Sequence, residues 1–598
     1  MFFRRKRVGS HDYLQIVRNQ RVDGRHRQSV VATLGRVADL EQDGTLARLL
    51  RSGARVCDQA VLLSDLERGQ ADVIEARRIG GPLIFERLWR ESGCQAAIEA
   101  LLADRAFAFP VERAVFLTVL HRLIAPGSDR AAEHWRDAYA IAGMAGLELH
   151  HLYRAMAWLG EALNDQSDAG LGPRTTKDLI EEALFAHRRS LFTELGIVLY
   201  DTTSLHFEGA PLRADLSGRP WEPGAGGGSL GQYGHSKDHR PDLRQVVLAV
   251  VIDSTGRPLC SELWPGNTTD VTTLVPVIDR LRRRFSIPRV CVVADRGLMS
   301  ATTVAELEHR GIEYVLGVRE RRTKEVATLL AASLQAVPLS IPRAEGRGTT
   351  DLWISEAVRR QGGQRRRYIL CRNDAEAAKD AAERAAILAS LEAKLRQGDL
   401  ALVGNRGYRR YLKPQGGRRY TIDAERVAAA ARFDGVYVLR TNATASSLEI
   451  ALRYRQRVLV EEIFRTAKSL LATRPIFHKC DATIRGHVFC SFLALVLRKE
   501  LMDRLDTAGH DLEWAEVVFD LERLVETTIE QDGKRFLVRP AAPGSSGVVF
   551  KAVGVALPAM VRSGQPPPAV PAEPPPRRRV KPRKRGANAR RLPANALR

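Results

Sequence analysis

Apolar residues in the middle of the chain fall into runs of strand length separated by helical periods. The runs lie at residues 195–200, 245–252, 290–294 and 313–318, and the helical stretches lie at 271–284 and 301–310. A third strand is also expected before the first helix, so the order along the chain is strand, strand, strand, helix, strand, helix and strand. This order predicts an α/β core whose sheet is partly parallel.

The segment before this core follows two other patterns. Tyr13–Val17 and Ser29–Leu34 are strand-like and flank an Asp23-Gly24 turn signal, which predicts a β-hairpin over residues 12–34. From about residue 40 to 190 the period is helical, with many Ala, Leu, Glu and Arg residues. We therefore expect a β-hairpin followed by a mostly helical region.

The core pattern stops near residue 320 and resumes with a strand at Val436. The sequence between contains a predicted hairpin at 352–358 and 366–372 and an Ala- and Glu-rich helix from Asp374 to Leu395. We interpret residues 320–433 as an α+β insertion in the core. After the core strand, a long helix is predicted from Ser446, and a further helical region follows.

Composition adds a strong basic charge to this picture. Lys and Arg total 92 against 70 Asp and Glu, a formal net charge of +22. Such an excess favours polyanionic partners, nucleic acid first and an anionic membrane second. From Arg577 to Arg598 there are ten Lys and Arg and no acid. The Pro- and Arg-rich end after Ser563 is expected to be disordered, and either binds duplex DNA through phosphates or is merely solvated.

The remaining features point to the cytoplasm. The longest apolar stretches fall short of the roughly 18 residues that a membrane-spanning helix needs. No apolar core of signal-peptide length follows the basic N-terminus. Seven dispersed cysteines without a Cys-x-x-Cys pair indicate reduced thiols rather than disulfides or a zinc cluster.

His487, in an apolar helix, is expected to be a satisfied core histidine.

Two aspartates stand where α/β sheets present their ligands. Asp201 directly follows the apolar run 197–200, and Asp295 directly follows the run 290–294. Each should therefore lie at the carboxyl end of a buried strand. Either one alone is also explained as a residue that ends a strand or caps a helix.

A third acid lies on the helix predicted from Ser446. Tyr454, Arg457, Glu461 and Lys468 have offsets of 0, 3, 7 and 14, which at 100° per residue fall within roughly a 60° arc. Arg465 lies close to the same line, and Glu462 lies to the side. The apolar residues expected on the opposite, core-facing side are Leu452, Leu459, Ile463 and Leu470. A solvated charged face is the ordinary alternative, but it does not account for a single acid among cations.

These residues resemble those of a known enzyme group. The set Tyr454, Arg457, Glu461 and Lys468 is similar to the Y-(2)-R-(3)-E-(6)-K signature of transposases of the insertion-sequence-4 group, and Asp201-Thr-Thr-Ser204 and Ala294-Asp-Arg-Gly297 look like its two earlier acidic motifs. Further segments resemble its insertion-sequence-1634 branch. They are Tyr233-Gly-His-Ser-Lys-Asp-His-Arg-Pro-Asp242, Pro265-Gly-Asn-Thr-Thr-Asp270, Phe433-Asp-Gly-Val-Tyr437 and Ile484-Arg-Gly-His-Val-Phe489. The resemblance covers residues 10 to 500, in order.

The resemblance implies an α/β, ribonuclease-H-like catalytic core with an acidic triad. Its predicted parts are an N-terminal hairpin and helical region that binds DNA ends (1–190), the core (191–319 and 434–500), the insertion (320–433), a C-terminal helical region (501–563) and the basic tail (564–598). The implied function is DNA cleavage and strand transfer in cut-and-paste transposition of an insertion sequence, by a DDE transposase that acts as a homodimer on paired inverted repeats in the cytoplasm, with the nucleoid.

The chemistry of the acids agrees with this implication. Three carboxylates offer hard oxygen ligands that suit two Mg²⁺ or Mn²⁺ ions, and two such ions catalyse phosphodiester attack. Asp201 is expected to bridge the ions, and Asp295 and Glu461 each to hold one. Tyr454, Arg457 and Lys468 are expected to contact DNA phosphates, and Arg296 with them. Two rival functions stay open: a nuclease of the same fold that does not transfer strands, and a DNA-binding protein with a dead site.

Overall fold

The structure is a computed structural model. It describes residues 2–22, 25–46, 72–167, 169–170, 172–188, 196–208, 230–287, 290–298, 300–318, 337–342, 349–361, 364–397, 410–415, 420–531 and 534–564. The Asp23-Gly24 turn and the basic end after Gly564 lie outside these residues.

The elements are named in chain order. The strands are β1 Phe2–Val8, β2 His11–Val22, β3 Arg25–Arg36, β4 Asp72–Arg78, β5 Ile197–His206, β6 Gln245–Asp253, β7 Pro258–Pro265, β8 Cys291–Ala294, β9 Glu313–Gly317, β10 Val337–Pro342, β11 Thr349–Gln361, β12 Gln364–Asn373, β13 Leu412–Pro414, β14 Tyr420–Ile422, β15 Val436–Thr441, β16 Val525–Gln531, β17 Lys534–Val538 and β18 Val561–Ser563. The α-helices are α1 Val37–Gln42, α2 Gly80–Glu91, α3 Cys94–Leu102, α4 Val111–Ile124, α5 Asp129–Trp135, α6 Leu149–Leu159, α7 Thr176–Arg188, α8 Leu274–Phe285, α9 Ala301–His309, α10 Asp374–Gln397, α11 Ala424–Ala431, α12 Ser447–Arg455, α13 Val458–Arg465, α14 Asp481–Thr507, α15 Trp514–Glu522 and α16 Ser546–Val553. A π-helical turn, Thr466–Leu470, comes after α13.

The chain divides into two compact units. The first comprises Met1–Ala76, Thr527–Arg539 and Ala559–Arg598, and the second comprises Arg77–Glu526 and Pro540–Pro558. In the first unit, β1, β2 and β3 form an antiparallel sheet. The predicted hairpin is therefore confirmed as β2 and β3, and β1 adds a third strand. The other sheet of this unit has the order β18-β17-β16-β4.

The second unit is built on a nine-stranded sheet with the order β10-β11-β12-β15-β9-β8-β5-β6-β7. The pairs β5–β8 and β8–β9 are parallel, and the other neighbouring strands are antiparallel. Both crossovers between parallel strands pass through a helix, α8 and then α9. The strand and helix order predicted for the core, and its partly parallel sheet, are thereby confirmed.

Helices cover the sheet on both faces. Alternate residues of each strand point to opposite faces. Val198 and Tyr200 of β5 join the apolar cluster that contains α8 and α9. Leu199 and Leu205 join the larger cluster, which contains α12, α13 and α14. The odd-numbered side chains of β5 therefore face α12–α14.

Two predicted domain boundaries differ from the observed packing. Residues 77–188 belong with the core rather than with the hairpin, because α4 and α6 pack along α14 in one apolar cluster. Gly486 permits this close approach, since a Cβ there would lie 1.9 Å from the carbonyl oxygen of Met156. The predicted C-terminal helical region, 501–563, also contains β16, β17 and β18, where β-branched residues such as Thr527, Thr528 and Ile529 favour strand.

The region predicted as an insertion contributes to the core sheet. The predicted hairpin is present as β11 and β12, and β12 pairs with β15 beside the core strand β9. The predicted Ala- and Glu-rich helix is present as α10. With α11, β13 and β14 it has a separate small apolar cluster. No helix among the described residues is long and apolar enough to span a membrane.

Candidate active site

Asp201 and Asp295 are neighbours at one end of the central sheet. Tyr200 of β5 pairs with Ala294 of β8 in parallel register, so each aspartate comes directly after a paired residue. The alternation that places Leu199 and Val293 on the α12–α14 face places both aspartates on it too. Two carboxylates that the sequence separates therefore share one face. Asp295 directly follows its strand as predicted, but the prediction that Asp201 ends its strand is wrong, because β5 stays paired with β6 as far as His206.

Glu461 reaches this edge from the first turn of α13. Val460, Ile463 and Phe464 are buried and anchor the helix, which packs against β5. Glu461 itself is exposed, with 44% of its side chain accessible. Glu461 therefore lies on the solvent-exposed side of α13.

Arg457 joins the second and third acids. Its Nη1 lies 2.7 Å from Oε1 of Glu461 and 3.6 Å from Oδ1 of Asp295. The hydroxyl of Tyr454 donates to the same Asp295 oxygen over 3.3 Å. The ring of Tyr454 in turn stacks on Tyr437, with 6.1 Å between centroids. Tyr454, Arg457 and Glu461 therefore converge on Asp295.

Asp201 has the most perturbed acidity of the three acids. Burial raises the pKa of its carboxyl from the ordinary 3.8 to about 6, and the negative charge of Asp295 adds to the rise. The positive charges of Lys237 and Arg457 and the hydrogen bond from the amide of Thr202 oppose it. Near pH 6 this carboxyl is thus poised between its two forms, unless a cation stabilises the ionised one.

Lys237 places a second cation beside Asp201. Its Nζ donates to the carbonyl and the hydroxyl of Thr202, over 2.6 Å and 2.7 Å. It also lies 2.9 Å from Oδ2 of Asp270. The segments 233–242 and 265–270, which carry part of the family resemblance, therefore meet at the acids. Gly234 permits this, because a Cβ there would lie 1.9 Å from the carbonyl oxygen of Gly266.

Lys468 is close to this group but is already paired. Its Nζ donates to Oδ1 of Asp238 over 2.7 Å, and only 13% of its side chain is accessible. Burial would raise the pKa of Asp238, but the hydrogen bond and charge of Lys468, with Arg474 and His206, hold it below its ordinary range. The loop that carries Arg474 is fixed to the end of β5, where the amide of Ile476 donates to the carbonyl of His206.

The single continuous helix predicted from Ser446 is wrong in its second half. Ser446 caps α12 as expected, but the helix breaks at Gln456 and Arg457, and a π turn comes after α13. Each irregularity rotates the later residues about the helix axis. Leu470, predicted on the core side, is consequently exposed, while Ile463 is buried as predicted. Leu452, which comes before the break, is also exposed, so its predicted place on the core side is wrong as well. The side chain of Arg296, a predicted phosphate contact, lies outside the described residues.

The donor set fits divalent cations. Asp201, Asp295 and Glu461 supply carboxylate oxygens on one face, and Arg457 and Lys237 now balance part of their charge. Hard oxygen ligands of this kind suit Mg²⁺ or Mn²⁺. Because Arg457 lies between Asp295 and Glu461, a cation bound to both would take over its electrostatic role.

A second cluster of ligand-type side chains has a different explanation. Among the described residues, Asp129, His478 and His487 have ligand atoms within 4.8 Å of one another. His487 is buried, and its Nε2 faces the carbonyl of Thr473 at 3.0 Å. Its Nδ1 must then accept from Arg122, whose Nη2 is 2.8 Å away. Nε2 of His478 lies 3.1 Å from the same Nδ1. Both ring nitrogens of His487 therefore have protein partners, and it is a satisfied core histidine, as predicted.

Comparison with known families agrees with this geometry. Residues 193–497, just over half of the chain, match the family described as "Transposase DDE domain". This match defines the class as a DDE transposase, which acts on DNA. Residues 3–67 match "IS1634 family transposase, N-terminal domain". The chain therefore belongs to the IS1634 family and is a transposase of an insertion sequence. No curated protein matched the chain.

Proposed function

We propose that this chain catalyses cut-and-paste transposition of its insertion sequence, with Asp201, Asp295 and Glu461 as the catalytic triad. The observation that carries the proposal is the convergence of these acids around Arg457, on one face at one end of the sheet. The strand order β7-β6-β5-β8-β9, with β5, β8 and β9 parallel, supports a ribonuclease-H-like core. The enzyme would act as a homodimer on paired ends.

The three carboxylates would hold two divalent ions, with Asp201 as the shared ligand. Bound ions of this kind supply charge neutralisation and an activated oxygen nucleophile for phosphodiester attack. Tyr454 would keep Asp295 oriented through its hydrogen bond. Arg457 would leave Glu461 when the ion arrives. Its planar guanidinium would then be available to bind a DNA phosphate beside the site.

Lys468 is proposed to contact DNA from a position outside the triad. It is held by Asp238 near the end of β5, and not by the triad. We propose that it contacts backbone phosphates of bound DNA from that position, because a paired ammonium keeps further donors for an anion. Arg296 is retained as a proposed phosphate contact on its sequence position alone.

Alanine variants of the triad test the proposal. Asp201→Ala, Asp295→Ala and Glu461→Ala should each abolish cleavage of DNA that carries the element's ends, in Mg²⁺ or Mn²⁺, while binding of the same DNA persists. Glu462→Ala is the matched control, because Glu462 is an exposed acid on the same helix turn outside the triad, and it should cut normally. Near-normal cleavage by any triad variant would remove that residue from the mechanism.

Strand transfer distinguishes the proposal from its rivals. Labelled 3′ ends incubated with a supercoiled target should appear covalently joined to the target. A nuclease of the same fold would yield only cut products. A protein with a dead site would bind the ends and yield neither product in any metal. Either of those outcomes with pure full-length protein contradicts the proposed function.

A further inference from the structure

We propose that one face of the sheet β1-β2-β3 enters the major groove of duplex DNA and reads base edges in the ends of the element. This inference rests on the proposed function for its choice of DNA. We call the surface the open face. It consists of Arg4, Lys6, Tyr13, Gln15, Thr33 and Arg36.

The two faces of the sheet differ in what covers them. Leu40 of α1 packs against Gly35, with its Cγ 3.4 Å from where a Cβ would stand. Gly35 pairs with Leu14, which pairs with Arg5, and Arg5 also lies 3.6 Å from Glu41 of α1. Helix α1 therefore packs on the face that carries Arg5, which we call the covered face, although the Arg5 side chain itself stays 63% accessible. The alternation of side chains puts the open face on the other side.

The open face carries two cross-strand rows of polar side chains. Lys6, Tyr13 and Arg36 are opposite one another in register, as are Arg4, Gln15 and Thr33. Lys6, Thr33 and Arg36 are exposed. These rows present many hydrogen-bond donors and acceptors.

Hydrogen bonds within the rows hold these groups in place. Arg4 donates from Nη2 to Oε1 of Gln15 over 2.9 Å and from Nη1 to Oε1 of Gln28 over 2.9 Å. Gln15 donates to the hydroxyl of Thr33 over 3.2 Å, and Arg36 donates to the hydroxyl of Tyr13 over 3.2 Å. Ordered side chains lose less conformational entropy on binding. Arg and Lys recognise guanine, and Gln recognises adenine, through the major groove.

Charge and size both select duplex DNA. Residues 1–36 contain nine Lys and Arg against two Asp, which favours a polyanion. Strands lie about 4.8 Å apart, so the outer strands of this sheet are separated by roughly 10 Å. That width fits a major groove of about 12 Å and exceeds a minor groove of about 6 Å. The major groove of duplex RNA is too narrow for side chains to read.

Full-length variants test which face binds. The probes are 40-base-pair duplexes that tile the DNA on both sides of the coding sequence. The tightest-bound probe, its scrambled version and the RNA duplex of the same sequence are then compared by fluorescence anisotropy in EDTA. Lys6→Gln and Arg36→Gln should weaken binding of the tightest probe by about tenfold or more each. Gln15→Ala should do so without weakening binding to the scrambled duplex.

Arg5→Gln is the matched control, because it removes one positive charge at the neighbouring position on the covered face. It should change the affinity by less than about twofold. Thermal melting checks that each variant is folded. Lys6 and Arg36 are exposed, so their variants still test the inference if Gln15→Ala does not fold. The inference is overturned if Lys6→Gln and Arg36→Gln bind the tightest probe like wild type, or if they lose no more affinity than Arg5→Gln. It is also overturned if they lose as much affinity for the scrambled duplex as for the tightest probe, or if the RNA duplex binds more tightly than the DNA duplex.

Failure of this inference and failure of the proposed function give different results. If wild-type protein cuts and joins the ends while the open-face variants bind normally, the proposed function stands and the inference falls. If binding depends on the open face but no metal supports cleavage or joining, the inference stands and the proposed function falls.

Discussion

Asp201→Asn should stabilise the metal-free protein at alkaline pH. Asp201 is the acid whose ionised form the fold disfavours, because burial raises the pKa of its carboxyl to about 6, with a contribution from Asp295. Asparagine has nearly the same shape and cannot ionise. The substitution therefore removes the cost of a buried negative charge while it keeps the packing of β5.

The magnitude can be worked out from the pKa. A carboxyl with a folded-state pKa of about 6 and an ordinary pKa of 3.8 binds its proton more tightly in the folded state. Its contribution to stability is therefore fully present below about pH 4 and is lost as the pH rises through 6. The loss at pH 8 is roughly 3 kcal/mol. The variant does not suffer this loss, so its advantage should grow from near zero at pH 4 to about 3 kcal/mol at pH 8.

Denaturant unfolding of both proteins in EDTA, followed by tryptophan fluorescence, measures this difference across pH 4 to 8. A second set of unfolding measurements replaces EDTA with Mg²⁺. If the site binds the ion, wild type should gain about 2.7 kcal/mol at a concentration of 100 times Kd, and the variant should gain much less. A variant that is less stable than wild type at pH 8, or a gap that is independent of pH, would refute the reasoning about Asp201.

Two further predictions concern charges outside the triad. Asp238→Asn should lower the free energy of unfolding by about 3 kcal/mol or more, measured with denaturant, because it leaves the largely buried Lys468 without its partner. The control, Asp242→Asn, breaks the exposed pair with Arg240 and should cost under about 1 kcal/mol. Equal losses would contradict the importance of the buried pair between Asp238 and Lys468. Deleting residues 565–598 removes ten Lys and Arg and should flatten the dependence of DNA affinity on salt concentration, measured by anisotropy; an unchanged slope would make the basic tail inert.

Local sequence pattern was sufficient for the parallel strands of the sheet and for the common face of two acids. The apolar runs before Asp201 and Asp295 are short and uninterrupted, as buried parallel strands require. Only Asp295 ends its strand, but the parallel register of β5 and β8 places Asp201 at the same level, because Tyr200 pairs with Ala294. Adjacent parallel strands therefore brought the two carboxylates together without any information about distant contacts, and the crossover helices between them showed that the strands were parallel.

The same pattern could not locate Lys468 or the break in its helix. The segment from Ser446 to Leu471 contains no Gly or Pro, so nothing local marks the interruption at Gln456 or the π turn. Both are fixed by packing against β5 and by the pair with Asp238, which is 230 residues distant in sequence. For the same reason, the membership of residues 77–188 in the core could not be predicted, since it depends on contacts with α14.

Nearby cations reduce the repulsion among the three acids. Glu461 and Asp295 share Arg457, and Asp201 has Lys237 nearby, which also pairs with Asp270, so the carboxylates outnumber the cations. The excess negative charge is disfavoured on Asp201, where burial raises the pKa of the carboxyl to about 6 and so favours its protonated form. Divalent ions would satisfy all three acids and would at the same time free both cations to face the phosphates of DNA. If the proposed site binds divalent ions, metal binding would therefore be coupled to the formation of a positive surface for DNA through Arg457 and Lys237.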